Sequence, residues 1–118
     1  MAGNQSRLLV QREEDVTVIT FLDRNILDEA NIQQIGEEIR NIIQKLAVPK
    51  ILISFENVDH LSSAALGVLI TINKLVRQKD GQLRLANIDP QIYEVFVITK
   101  LNKLFKIFKT TDDGLKNF

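Results

Sequence analysis

The sequence predicts an α/β fold: a single domain with a mixed central sheet of about five strands and four helices packed against it. Short apolar runs rich in β-branched residues alternate along the chain with stretches of helical periodicity. Strands that are joined by a helix-length segment run parallel in one sheet, whereas the first two runs are separated only by a link of hairpin length. The expected order is therefore β-β-α-β-α-β-α-β-α, with parallel and antiparallel pairs in the same sheet.

The first two strands are expected over residues 8–13 and 16–21. Glu14-Asp15 separates them, and because this link lacks glycine the type of turn stays open. In the second strand apolar or β-branched residues occupy both alternating sets of positions, which indicates a strand covered on both faces. The first strand is then expected nearer an edge of the sheet.

The clearest amphipathic helix follows these strands. Its apolar residues recur at helical spacing, with polar residues on the other side: Ile32, Ile35, Ile39, Ile42, Ile43 and Leu46. Asp28 fits the N-cap, and Glu29 is favourably placed in the first turn. Pro49 helps to stop the chain before the next strand, which is expected over 50–55 as a central strand.

A second helix is expected directly after that central strand. The residues on its core face fall at steps of three and four: Ala65, Val68, Leu69, Ile72, Leu75 and Val76. The row on the opposite side contains no large apolar side chain: Ser63, Gly67, Thr71, Lys74 and Gln78. Ser63 is therefore expected at the exposed beginning of the helix.

Two adjacent serines stand between the central strand and this helix. The structural interpretation of Ser63 is a helix N-cap, whose hydroxyl accepts a hydrogen bond from a free backbone N–H. Only one of Ser62 and Ser63 can be the N-cap, so the other hydroxyl has no structural role in the first turn. Such a hydroxyl is also a favourable place for a phosphate, because the free N–H groups and the helix dipole favour negative charge there.

The remaining elements follow in order. The second helix is expected to end at Gly81, with Lys79 at the negative end of its dipole. Strands are expected over 82–86 and 104–109, and a short last helix over 110–118 after a threonine cap and an acidic first turn. Between those strands, a helix begins at Asp89-Pro90 with four residues facing inward: Ile92, Val95, Phe96 and Thr99.

Composition limits the classes of function. A chain of 118 residues suits one domain over 1–118, and 15 basic against 15 acidic residues give no electrostatic reason to expect nucleic acid or an anionic membrane surface as a partner. There is no cysteine and one histidine, which argues against disulfides, thiol catalysis and a thiolate or histidine metal site. No long apolar run indicates a signal peptide or membrane insertion, so a cytoplasmic protein is expected.

Signs of enzyme chemistry are few. There is no glycine-rich phosphate-binding motif and no Gly-x-Ser-x-Gly, and no cofactor is expected. His60 lies near Ser62 and Ser63, but a serine nucleophile also needs an orienting group and an oxyanion hole, which the spacing does not identify. Asp59 and His60 are expected to be turn residues, and Asp112-Asp113 a helix start rather than a metal site.

The stretch 58–69, Val-Asp-His-Leu-Ser-Ser-Ala-Ala-Leu-Gly-Val-Leu, resembles the signature of STAS domains, the family of sulfate-transporter and anti-sigma-factor-antagonist domains. There a strand ends in Asp-Ser-Ser-Gly-Leu-Gly or Ile-Ser-Ser-Ala-Gly-Leu and a helix follows. Aligned on Leu66-Gly67, Ser63 takes the position of the serine that is phosphorylated in the antagonists, Ser62 that of the aspartate of one variant, and Ala65 replaces the usual glycine. Residues 25–28 and 101–108 are also similar to STAS segments, so the resemblance covers nearly the whole chain.

The resemblance implies an anti-sigma factor antagonist, a non-enzymatic binding module that is switched by serine phosphorylation. Unphosphorylated, it would bind an anti-sigma factor that is also a serine kinase using ATP and magnesium, and so release a sigma factor; a metal-dependent serine phosphatase would remove the phosphate. Ser63 is the expected phosphoacceptor and Ser62 the alternative. The expected partner-binding residues are Asp28, Asp59, His60, Leu61, Ser62, Ser63, Ala64, Gly67 and Thr71. The alternative function is a constitutive interaction module, either a stressosome-type scaffold or the soluble subunit of a transporter.

Overall fold

The computed structural model describes residues 7–116 and 118. Five of its strands form one sheet in the order β1-β2-β4-β6-β7, and β3 and β5 form a separate two-stranded pair. The elements are, in chain order, β1 Leu8–Glu13, β2 Val16–Phe21, β3 Asn25–Ile26, α1 Glu29–Lys45, β4 Lys50–Ser54, β5 His60–Leu61, α2 Ser63–Gln78, β6 Gln82–Ala86, α3 Pro90–Ile98, a 3₁₀ helix Leu101–Lys103, β7 Lys106–Phe108 and α4 Thr111–Leu115.

The five-stranded sheet is mixed, as predicted. β1 pairs antiparallel with β2, and the other three neighbouring pairs are parallel. All six residues of β2 are buried, which confirms that this strand is covered on both faces, and β1 lies at the edge. Glu14, in the turn between them, has a φ of 58°, so a non-glycine residue adopts the left-handed conformation there.

One face of the sheet carries the main core. α1 and α2 pack beside each other, and they approach closely at Gly36, where a Cβ atom would lie 3.2 Å from a methyl group of Val68. The side chains in this core that are least exposed come from three strands, three helices and the residue after β4: Ile19, Ile39, Ile51, Ile53, Phe55, Val76, Leu85 and Phe96. The buried face of α2 differs in part from the predicted one. Leu66 and Asn73 are buried although they were not expected on the core face, while Val68 and Leu75, which were expected there, are only half-buried.

The opposite face of the sheet carries a smaller core under α4. Its apolar members are Val16, Val18, Leu52, Ala86, Phe108, Leu115 and Phe118. Arg84 of β6 is buried among them: its Nη1 donates to the carbonyl oxygens of Gly114 and Lys116 at 2.9 and 2.7 Å, and its guanidinium lies 4.3 Å from the centre of the Phe118 ring. Burial lowers the pKa of Arg84 from its ordinary value. This arginine therefore attaches α4 to the sheet.

The C-terminal end of α2 differs from the prediction. The helix ends at Gln78, and Asp80, with a φ of 59°, adopts the left-handed conformation before Gly81. Gly81 is needed for another reason, because a Cβ atom there would collide with the backbone carbonyl oxygen of Pro49 and lie 2.9 Å from its Cδ. The Lys79 side chain does not cap the end of α2. Its Nζ donates instead to three carbonyl oxygens at the end of α1, those of Ile43, Gln44 and Leu46, at 2.9–3.0 Å.

The last elements are shorter than predicted. In α3, Ile92 and Phe96 are buried as expected, but Val95 and Thr99 are exposed, and the Thr99 hydroxyl donates to the Val95 carbonyl instead of facing the core. The 3₁₀ helix precedes β7, which therefore begins at Lys106 rather than at 104. Helix α4 ends at Leu115, before the predicted end at 118. Within the described residues no helix has the length and apolar character needed to cross a membrane.

Candidate functional site

Ser62 is the N-cap of α2. Its backbone is extended, and its Oγ accepts a hydrogen bond from the Ala65 N–H at 3.2 Å. The Ser62 N–H donates in turn to the Ile26 carbonyl at 3.1 Å, so the residue is fixed on both sides. An N-cap serine satisfies one of the N–H groups that the first turn of a helix leaves without a partner. Of the two serines, Ser62 is therefore the one that has the structural role.

Ser63 is the first residue of α2 and is exposed, which confirms the expected position. Its hydroxyl forms no hydrogen bond with any of the described residues. The neighbouring Ala64 is also exposed. Because the first N–H groups of a helix have no intrahelical acceptor and lie at the positive end of its dipole, an anionic group on Ser63 would be favourably placed.

The two-stranded pair β3–β5 joins the serine turn to the beginning of α1. Asn25 pairs with His60 and Ile26 with Leu61, in parallel. His60 was expected in a turn, and that expectation was wrong, because the backbone pairing with Asn25 makes it part of a strand. The pair brings the start of α1, with Asp28, to the same side of the molecule as Ser63.

Asp28 is the N-cap of α1, as predicted, and its Oδ1 accepts a hydrogen bond from the Ala30 N–H at 3.0 Å. The carboxylate is nevertheless exposed, so the cap leaves part of it accessible to a partner. Asp59 lies just before β5, and its Oδ2 accepts from the Arg24 guanidinium at 2.9 Å. This ion pair is largely exposed, which limits its contribution to stability to about 0–1 kcal/mol.

The outer side of α2 continues the surface that begins at Ser63. Gly67 and Thr71 are exposed there, one and two turns further along, and the Thr71 hydroxyl donates to the Gly67 carbonyl at 3.1 Å. A Cβ atom at Gly67 would meet nothing within 4 Å, so packing inside the domain does not require glycine at this position. Leu61 is half-buried and packs against the core, and Asp59 and Ser62 are half-buried as well.

Two residues of this surface escaped the sequence reasoning. Arg24 pairs with Asp59, and its carbonyl accepts hydrogen bonds from the N–H groups of both Asp59 and His60. Leu27, between β3 and the cap of α1, is 54% exposed although it is a large apolar residue. An apolar residue flanked by polar ones is a common feature of protein interfaces. In the sequence, Leu27 could have been identified as a candidate contact because it is a large apolar residue directly before the predicted N-cap Asp28.

The site holds no arrangement typical of nucleophilic catalysis. His60 is exposed, and no hydrogen bond among the described residues joins its imidazole to Ser62 or Ser63. The Ser62 Oγ accepts from the backbone rather than from a base. Across residues 7–116 and 118, no group of three or more histidine, aspartate or glutamate side chains is placed to hold a metal ion.

The mixed sheet and the serine-led helix define the class of protein. The family model of the STAS domain matches residues 7–114, and the chain belongs to the STAS family. This finding confirms the resemblance at 58–69. It also agrees with the order of elements, because a strand leads through the two serines into α2.

Several proteins of this family are similar to the chain. The BtrV protein of Bordetella bronchiseptica, whose name describes an anti-sigma factor antagonist, is 27% identical over 95 residues, which are 80% of this chain and 81% of BtrV. The anti-sigma F factor antagonist of Paenibacillus polymyxa is 24% identical over 89 residues, 75% of this chain and 76% of that protein. An anti-sigma-factor antagonist (STAS) domain protein from Planctomyces limnophilus superposes with a TM-score of 0.83 at 25% identity, over 92% of this chain and 94% of that one.

Proposed function

We propose that this protein is an anti-sigma factor antagonist that acts in the cytoplasm and is switched by phosphorylation of Ser63. In its unphosphorylated form it binds an anti-sigma factor that is also a serine kinase, and a sigma factor is released. The kinase transfers the γ-phosphoryl group of ATP to the Ser63 Oγ, which loses its proton, and ADP leaves; a serine phosphatase hydrolyses the phosphoserine to serine and inorganic phosphate. The observation that carries this proposal is the division of roles between the two serines, with Ser62 as the cap and Ser63 exposed and unengaged.

The phosphate is expected to leave the fold of the domain unchanged. A phosphoserine adds about −1.5 to −2 charges at neutral pH. At the beginning of a helix this charge meets free N–H groups and the positive end of the dipole, an interaction of about 0.3–1 kcal/mol in the stabilising direction. The phosphorylated domain should therefore unfold at nearly the same denaturant concentration as the unmodified one.

Phosphorylation is expected to change the surface that binds the partner rather than the fold. The surface that we assign to the anti-sigma factor comprises Asp28, Asp59, His60, Leu61, Ser62, Ser63, Ala64, Gly67 and Thr71, together with the exposed Leu27. Asp28 is already acidic, so a phosphate on Ser63 gives this surface a strong negative charge. A doubly charged group in a close interface must be desolvated. Acidic groups of the partner that face this phosphate would further lower the affinity, because like charges facing each other cost several kcal/mol. Release of the partner then needs no conformational change.

Phosphate incorporation tests the assignment. The purified protein is incubated with its cognate anti-sigma factor kinase, ATP and Mg²⁺, and the modified residue is located by mass spectrometry. We expect one phosphate on Ser63, none on Ser63→Ala, and partial incorporation in the matched variant Ser62→Ala. Phosphate on Ser62 with loss in Ser62→Ala alone would reverse the assignment. Binding without any incorporation would favour a constitutive interaction module of the stressosome or transporter type.

A further inference from the structure

A second feature of α2 lies far from Ser63 and has no part in the proposed switch. Asn73 sits on the core side of the helix, ten residues beyond Ser63, which corresponds to about 15 Å of helical rise. The residue is 7% exposed. Its side-chain amide forms no hydrogen bond with the described residues. The amide nitrogen and oxygen are not fully enclosed by the protein, so both are available to a partner from outside the chain.

Asn73 borders two open hollows between the second half of α2 and the chain around Leu104. One has a volume of about 240 Å³ and extends to Gln82 and Leu83 of β6, and the other, of about 440 Å³, lies along the outer side of α2. Asn73, Arg77 and Leu104 line both hollows. Asn73 is therefore mostly buried as a residue, whereas its amide is accessible to a small molecule from solvent.

The charge of the lining has one sign. Arg77 and Lys106 line the smaller hollow, Lys74 joins Arg77 at the larger one, and no described aspartate or glutamate lines either. None of these three cations takes part in an ion pair among the described residues. The planar guanidinium of arginine matches the geometry of a carboxylate, with two parallel hydrogen bonds. An amide beside it can donate a further hydrogen bond to the same group.

We propose that the smaller hollow binds a small organic carboxylate. Arg77 and Asn73 contact the carboxylate, and a short apolar part of the ligand packs against Leu83 and Leu104. The apolar side chains favour an organic ligand over an inorganic anion, because a pocket that combines apolar walls with a few placed polar groups is the usual form of a small-molecule site. Lys106 adds to the positive potential around the carboxylate. The site is independent of phosphorylation at Ser63.

The test is a titration of the ¹⁵N-labelled protein with sodium hexanoate, followed by two-dimensional NMR. We expect saturable shifts of the Asn73 side-chain amide and of the backbone amides of Arg77 and Leu83. Hexanamide has the same apolar part without the charge, and sodium phosphate has the charge without the apolar part. Each should give at least tenfold weaker binding. Equal shifts with phosphate, or shifts that never saturate, would overturn the proposal.

Three variants complete the test. Arg77→Gln should weaken hexanoate binding at least tenfold, while Lys103→Gln, at an exposed lysine that lines neither hollow, should leave it unchanged. Asn73→Leu should abolish the binding and, without hexanoate, leave the midpoint of urea unfolding unchanged or higher, because the amide forms no hydrogen bond with the described residues. A lower unfolding midpoint of Asn73→Leu would show that the amide already has a structural partner. A loss of binding in Lys103→Gln as large as in Arg77→Gln would indicate unspecific electrostatic attraction. Either result would contradict the proposed site.

Discussion

Replacing each serine of the pair by alanine separates the cap from the exposed hydroxyl. Ser62→Ala removes the acceptor of the Ala65 N–H, a hydrogen bond of 3.2 Å at a half-buried residue. Loss of an N-cap serine costs about 0.5–2 kcal/mol, and we expect a decrease of about 1 kcal/mol in the free energy of unfolding. Ser63→Ala removes a hydroxyl without a described hydrogen bond and introduces the best helix former, so its free energy of unfolding should stay within about 0.5 kcal/mol of the wild type.

Urea unfolding followed by circular dichroism measures both variants. A change of about 1 kcal/mol is resolvable, because domains of this size are stable by only about 5–15 kcal/mol. Two controls identify the cap as the cause. Ser62→Asp should retain wild-type stability, since aspartate is an equally good N-cap and its charge suits the helix dipole, and Ser62→Gly should lose only a few tenths of a kcal/mol. If Ser63→Ala lost as much stability as Ser62→Ala, the division of roles between the serines would be refuted.

Three further substitutions test other contacts. Gly67→Ala should raise the free energy of unfolding by about 0.5–1 kcal/mol, because the added methyl group meets no neighbour, yet weaken binding of the anti-sigma factor in calorimetry if the partner approaches this side of α2 closely. Arg84→Met should lower the free energy of unfolding by about 2–3 kcal/mol in urea titrations, because two charge-assisted hydrogen bonds to α4 are lost. Lys79→Met should lower it by about 1–2 kcal/mol and increase hydrogen exchange at the end of α1, where three carbonyls lose the Lys79 ammonium as a donor; unchanged exchange there would contradict the capping role.

The architecture was predictable because its main signals are periodic and local. β2 and β4 are apolar on both alternating faces, and α1 repeats isoleucine at helical spacing, so their positions follow from the side chains alone. The caps at Asp28 and Asp89 follow from the preference of aspartate for the first free N–H groups of a helix. Such features depend on neighbours within a few residues.

The features that escaped prediction depend on partners far along the chain. β3 and β5 have two residues each, too few for a periodic signal, and they form only because Asn25 pairs with His60. Lys79 caps a helix that ended more than thirty residues earlier, and Arg84 is buried only because α4 covers its side of the sheet. In the site, the sequence placed Ser63 correctly but left the cap open between the serines. The geometry assigns it to Ser62 through the bond to Ala65.

The affinity of the protein for its anti-sigma factor kinase, before and after phosphorylation, tests the central claim most directly. Calorimetric titration of the unmodified and the stoichiometrically phosphorylated protein should show at least a 100-fold loss of affinity, since each 1.4 kcal/mol of repulsion is a factor of ten and several kcal/mol are expected. Ser63→Asp, with less charge, should show a smaller loss at unchanged stability, and Ser63→Ala should bind like the unmodified protein. Equal affinity of both forms, or unfolding of the phosphorylated domain, would contradict a switch that acts by surface repulsion at Ser63.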